Sequence, residues 1–315
     1  MHNILTSILA LALCTGASSA TARFRLYRST DDGRSWTEAG HGIPADLRTD
    51  SLGESGSMRL AGTERGLFIS ADDGKTWTRP SRGIPESIKV MDFTVNNGRV
   101  YGATTRGVWM SADDGTSWAP MGVELAEVKV LSLTAANGYV LAGTDQRGAW
   151  ALSGSSTNWE QVATGLPARP QMFQFAVQGG TVFAALYAQG VYRLDSVRKE
   201  WTPTAEERPL RLVSSGGMLF AGRNPGGVFM SSDHGVSWQS ASAGLPPHAP
   251  TWSLASRTGT VLIGTRGYSH LMRYEAALQS WIPSDEGLPE GGSPIAFNMG
   301  KKSVLASVIS HEPSK

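Results

Sequence analysis

The chain has 315 residues, 40% of them hydrophobic, and its 28 Lys and Arg are nearly balanced by 27 Asp and Glu. That balance excludes a global electrostatic pull towards nucleic acid or anionic lipid, so any charge preference must be local. Glycine is abundant at 37 residues and tryptophan at 10, a pairing suited to a repetitive all-β fold with many tight turns and a recurrent large packing residue.

In chain order, the first feature is the apolar run from Ile4 to Cys14, too short to span a bilayer as a helix. Small residues follow, and Ala20-Thr21-Ala22 fits the small-x-small cleavage pattern of a secretory signal, although no Lys or Arg precedes the run. Leu13 before Cys14 is not small, which argues against lipidation there. The expectation is a signal peptide over 1–22 and a single domain over 23–315, exported to a periplasm or secreted, with no membrane span. The mature chain has no cysteine and depends on no disulfide.

Seven tryptophans then recur at intervals of roughly 40 residues: Trp36, Trp77, Trp118, Trp159, Trp201, Trp238 and Trp281. Four close an octapeptide: Ser29 to Trp36, Ser70 to Trp77, Ser111 to Trp118 and Ser231 to Trp238. A turn glycine follows each Trp by about twenty residues (Gly56, Gly98, Gly138, Gly180, Gly217, Gly259, Gly300). Short alternating runs between the turns read as four strands per unit, A to D, with the octapeptide forming the C–D hairpin. A Gly-Ile-Pro or Gly-Leu-Pro leads out of five units, as at Gly42, Gly83, Gly165, Gly244 and Gly287. Such a unit matches a propeller blade. The N-terminal segment supplies only strands C and D, and Pro294–Met299 with Ser303–Ser310 supply only A and B. The predicted fold is an all-β, seven-bladed β-propeller of four-stranded antiparallel blades, one shared between the termini, which removes free sheet edges.

The octapeptide resembles the Asp-box, or bacterial neuraminidase repeat, of sialidases, sortilin-like receptors, some glucanases and the photosystem II assembly and stability factors. Its expected chemistry is structural. Asp31, Asp72, Asp113 and Asp233 accept backbone N–H bonds inside their own turns. Gly33, Gly74, Gly115 and Gly235 supply a positive φ, and Trp36, Trp77, Trp118 and Trp238 pack between blades. Asp31-Asp32-Gly33 has no Glu at the twelfth position of a calcium loop, and the six histidines lack metal-ligand spacing. Neither metal nor cofactor is expected.

The resemblance to sialidases implies an alternative: a glycoside hydrolase or carbohydrate-binding protein. That family uses an Arg-Ile-Pro segment, three substrate arginines, a Tyr/Glu nucleophile pair and an acid/base Asp on a long loop. Here no Ile-Pro follows Arg: Ile43-Pro44 and Ile84-Pro85 follow Gly, Ile282-Pro283 follows Trp281, and the blades leave no segment for a catalytic lid. The adjacent Glu206-Glu207 reads as a solvated acidic patch, and no catalytic residue is assigned.

A meander sends the B–C turns and D–A linkers to one face. Arg65, Arg106, Arg147, Arg223 and Arg266 fall in B–C turns, a broken ring of cations suited to carboxylate or phosphate pairing. A second ring stands six residues before each A–B glycine: Asp50, Asp92, Ser132, Gln174, Arg211 and Ser253, with Pro294 as the exception. The expected role is a non-catalytic scaffold gripping a protein client, or an anionic or sugar ligand, through this face. The overall likeness to the photosystem II assembly factors implies the same: a catalytically silent, exported, seven-bladed client holder.

Overall fold

The structure is a computed structural model that describes residues 21–154, 156–204, 209–223, 226–265 and 271–312. It is an all-β, seven-bladed propeller. Blade 1 comprises Thr49–Ser55 (A), Met58–Thr63 (B) and Leu67–Ser70 (C); its D strand is reduced to one antiparallel bridge between Ile69 and Thr78. Blade 2 runs Val90–Asn96, Arg99–Thr104, Gly107–Ser111 and Ala119–Met121, and blade 3 runs Val130–Ala136, Tyr139–Thr144, Ala149–Ser153 and Glu160–Gln161. Blade 4 is Met172–Gln178, Thr181–Leu186, Gly190–Asp195 and Glu200–Pro203, and blade 5 is Pro209–Ser215, Met218–Arg223, Val228–Ser231 and Gln239–Ser240. Blade 6 is Thr251–Arg257, Thr260–Thr265, Leu271–Glu275 and Ser280–Pro283. Each A strand packs on the next, and the last, Ser293–Met299, closes on Thr49–Ser55.

Blade 7 joins the two ends of the chain in the order Thr37–Ala39, Thr21–Ser29, Val304–Glu312, Ser293–Met299. The central pairing is antiparallel from Thr21–Glu312 to Ser29–Val304. A cut after Ala22 would leave every pair from Arg23–Ser310 onwards in place. Residues 1–20 of the expected signal peptide lie outside the described residues. Among the described residues no helix is long and apolar enough to cross a membrane.

Burial is organised by interface rather than around one centre. The buried apolar residues form seven clusters, each spanning two neighbouring blades and each holding one of the seven tryptophans. Trp118 packs between blades 1 and 2 with Leu60 and Val90, and Trp201 between blades 3 and 4 with Leu141 and Val182. Trp238 is the one that is only partly buried. Removing such a ring leaves an indole-sized void, a loss of about 3–5 kcal/mol.

The octapeptides hold both their own turn and the previous blade. Ser29 Oγ receives the Gly33 N–H (2.8 Å), Asp31 Oδ1 receives the N–H groups of Arg34 and Ser35 (3.0 Å each), and Ser35 Oγ donates to Asp31 Oδ2 (2.6 Å). The Gly115 position shows why the fifth residue is glycine: φ is +92°, and a Cβ would stand 2.6 Å from Leu60 of the previous blade. Blades 3, 4 and 6 lack the octapeptide. Two of their three interfaces hold a bulkier Tyr101 or Phe220 in the strand-B position that Leu60 occupies in blade 1.

The linker glycines have a separate reason. In the linker that leaves blade 3, Thr164 O accepts the N–H of Trp201 in blade 4 (2.9 Å), and Gly165, at φ +83°, would carry a Cβ only 2.0 Å from Trp201 O. Gly42, Gly244 and Gly287 meet Trp77, Trp281 and Trp36 in the same way. The main chain of one linker therefore clasps the main chain at the next blade's tryptophan.

The closing seam between blades 7 and 1 carries a charge network. The buried Arg59 pairs with Glu54 (2.6 Å) and Asp73 (2.5 Å), and donates to Asn298 Oδ1 (2.8 Å) and Ser303 O (3.1 Å). Arg28 binds the other Asp73 oxygen at 2.6 Å. Burial works against ionised Asp73, but hydrogen bonds from Arg28, Arg59 and Ser303 hold its pKa below the ordinary carboxylate value. Gly300, expected as a turn glycine, is absent from the positive-φ residues. It is small because Arg59 crosses over it.

Candidate functional site

The face made by the B–C turns and D–A linkers is built from a local device repeated in three consecutive blades. The last residue of strand B is a buried threonine whose hydroxyl donates to the glycine carbonyl across the turn. The pairs are Thr63–Gly66 (2.9 Å), Thr104–Gly107 (2.8 Å) and Thr144–Gly148 (2.7 Å). The same oxygen accepts the arginine N–H: Arg65 at 3.1 Å, Arg106 at 3.0 Å and Arg147 at 3.0 Å. The backbone is pinned and the three guanidinium groups are exposed. Arg106 faces Glu127 at 3.4 Å. Arg65 and Arg147 have no side-chain partner among the described residues.

One member of the expected arginine ring differs. Arg223 is not a turn residue: it ends strand B in the threonine position, its N–H bonds to Gly227 O (3.0 Å), and its guanidinium stacks 3.6 Å over the Phe229 ring. The substitution of Arg for Thr moves the side chain back onto the blade. Arg266 lies outside the described residues, as does Glu206-Glu207.

A further arc of cations went unread in the sequence. Arg48, Lys89 and Lys129 each stand one residue before strand A of blades 1, 2 and 3. Arg48 and Lys89 share Asp50 (2.7 and 2.8 Å), and Lys129 pairs with Asp145 at 3.1 Å. The signal was the phase of the A strands, each of which carries a one-residue β-bulge at its entrance.

That bulge also corrects the second ring. The bulged residues are Asp50, Met91, Leu131, Phe173, Leu210, Trp252 and Ile295. The next position holds Ser51, Asp92, Ser132, Gln174, Arg211, Ser253 and Ala296. Asp50 is thus one place out of step with Asp92, because Gly56 is the first residue of its turn and Gly98 the second.

Most post-bulge side chains tie one blade to the next. Ser132 Oγ donates to Met172 O (2.7 Å) and Ser253 Oγ to Pro294 O (2.9 Å). Asp92 accepts the N–H of Phe93 (2.8 Å) and of Leu133 in blade 3 (2.9 Å), and Gln174 accepts Leu212 N–H (3.3 Å). Enclosure at the channel mouth pushes the Asp92 pKa up to about 6, against these two N–H bonds and the Arg211 charge. The same enclosure brings Arg211 down to about 10, with Asp92 and Asp50 opposing the fall and Arg48 adding to it. The structure therefore gathers Arg48, Asp50, Asp92 and Arg211 into one electrostatic group. In blade 4, next to the blade that carries Arg211, stand Phe173 and the exposed Tyr187, with ring centroids 5.3 Å apart. Among the described residues no group of three His, Cys, Asp or Glu could hold a metal ion.

No known family profile matches the sequence, and no curated protein matches it either. Solved structures do share the fold. The extracellular domain of BT4673 from B. thetaiotaomicron aligns with TM-score 0.66 at 15% identity, over 84% of this chain and 40% of that one; the chain thus spans well under half of that protein's length. YCF48 from Cyanidioschyzon merolae aligns with TM-score 0.65 at 12% identity, covering 86% of this chain and 97% of the other. YCF48 bound to D1 peptide aligns with TM-score 0.63 at 16% identity, covering 85% and 95%. At these identities the likeness defines the class of fold, a seven-bladed propeller.

Proposed function

We propose that this chain is an exported, non-catalytic Asp-box propeller that holds an acidic segment of another protein against its B–C turn face. The observation that carries the reading is the arc on blades 1 to 3. Three threonine-pinned turns present Arg65, Arg106 and Arg147 outwards, with Arg48, Lys89 and Lys129 nearer the channel. Fixed backbone and planar guanidinium forks suit carboxylate recognition, since binding has then only the side chains to order. A protein of the same fold has been solved with a peptide bound, which supports a peptide-sized occupant. The Phe173–Tyr187 pair offers an apolar or sugar-stacking surface beside the cations, which gives the glycan-binding alternative its one foothold.

The test is retention of an acidic-peptide array by the immobilised protein, run beside a glycan array and fluorogenic sialosides. Acidic peptides should be retained, and the Arg65→Glu/Arg106→Glu/Arg147→Glu variant should lose them at least tenfold. Turnover of a sialoside, retention of glycans alone, or unchanged peptide binding by the triple variant would each overturn the reading.

A further inference from the structure

The geometry points to a second, smaller recognition site inside the channel mouth: an oxyanion held by the planar edge of Arg211. It rests on the turn face being the ligand-facing one, but on none of the turn arginines.

Six of the seven post-bulge residues are polar, and five of them are engaged between blades. Ser51 reaches Val90 O (3.4 Å), Ser132 reaches Met172 O, Ser253 reaches Pro294 O, and Asp92 and Gln174 accept N–H groups of Leu133 and Leu212. Arg211 departs from the pattern. Its guanidinium bonds through Nη1 to the carbonyl of its own neighbour Leu210, at 3.0 Å, and to no other acceptor among the described residues. A guanidinium carries five N–H donors in one plane, so the edge formed by Nε and Nη2 is left without a protein acceptor.

The carboxylates that could fill it are committed elsewhere. Both Asp92 oxygens accept backbone N–H groups, and Asp50 is shared by Arg48 and Lys89. Counting Lys89, which shares Asp50 with Arg48, three cations (Arg48, Lys89 and Arg211) face two carboxylates (Asp50 and Asp92), leaving one surplus positive charge. Partial enclosure there, with Arg211 and Asp92 both half-buried, makes a compact anion worth more than it would be in water. A carboxylate or phosphate matches the fork bidentately. Its source is either a free small anion or the side chain of an acidic residue entering from a docked segment.

The experiment follows the arginine Nε–Hε resonances of the full chain by NMR at constant ionic strength. Four probes are titrated: acetate, inorganic phosphate, and acetyl-Gly-Glu-Gly-amide with its Gln counterpart. One arginine resonance, identified by its disappearance in Arg211→Lys, should move saturably. Arg211→Lys keeps the charge but loses the fork, and should bind acetate at least tenfold more weakly, followed in both proteins through the Leu212 backbone amide. Asp92→Asn should bind it several-fold more tightly, because one opposing negative charge beside the fork is removed. Acetate or phosphate acting alone identifies a free anion; the Glu peptide binding more tightly than both, with its Gln counterpart silent, identifies a side chain. The Arg65→Glu/Arg106→Glu/Arg147→Glu variant should still bind acetate, which separates failure here from failure of the peptide-binding reading. No saturating resonance with any probe, or an unchanged Arg211→Lys, would overturn the site.

Discussion

Replacing Gly165 by alanine, with Gly138→Ala as its partner, isolates what the linker clasp contributes to stability. Both glycines have nearly the same backbone, φ +83° and +80°, so both variants bear a left-handed alanine, a cost of about 1–2 kcal/mol. They differ in what the new methyl meets. At Gly138 nothing lies within 4 Å, whereas at Gly165 the Cβ would stand 2.0 Å from Trp201 O and 3.0 Å from its carbonyl carbon. These are backbone atoms held in a blade and cannot turn aside as a side-chain tip would. Relieving the collision costs about 1–3 kcal/mol in displaced packing, plus about 1 kcal/mol if the Trp201 N–H to Thr164 O bond is lost. Gly165→Ala should therefore be about 2–4 kcal/mol less stable than Gly138→Ala. For a domain of this size that is a gap of roughly 3–7 °C in Tm. Scanning calorimetry and tryptophan fluorescence on the two variants would measure it. Equal losses would refute the argument, because strain at positive φ would then account for both and the clasp would contribute nothing.

Arg59→Met should cost about 3–5 kcal/mol by leaving Asp73 and Glu54 without their shared cation at the seam; urea unfolding of this variant beside Arg28→Met would rank the two arms of the network. Asp92 has a folded pKa raised to about 6, so folding takes up a proton there and its ionisation makes stability fall as pH rises from about 4 to 6; Asp92→Asn should flatten that segment of a Tm–pH profile. The octapeptide carboxylates act in the opposite sense. A hydrogen bond from the Ser237 hydroxyl, the Ser237 N–H and the Ser231 hydroxyl hold Asp233 at about 2. Its contribution is present above pH 4 and is lost as pH falls towards 2, and Asp233→Asn should blunt the acid limb of the same profile.

What was legible in the sequence was whatever repeats locally. The seven tryptophans locate the seven interfaces, and the octapeptide turns follow from Ser, Asp and Gly at fixed offsets, because all their partners lie within a few residues. The shared blade was legible because two half-units remained at the chain ends. The candidate site was read less well. Counting back from the turn glycines put Asp50 in register with Asp92, since a one-residue difference in turn phase leaves no mark in composition. Arg223 looked like Arg65 by position, but the residue it replaces is the threonine that builds the turn. The Arg59 network joins side chains more than two hundred residues apart to two from its own blade, and no periodicity announces such a meeting.

The pairing of Thr21–Ser29 with Val304–Glu312 carries a consequence for how the molecule is made. Of the strands of this propeller, the first to emerge during synthesis has for its partner the last, so it lacks that partner until the other six blades have been made. Ring closure is then a late, long-range event of the kind that slows folding and leaves a sheet open to strangers. A chain halted before Val304 would be a horseshoe with two sticky lips. Docking of that final strand is what turns the horseshoe into a ring.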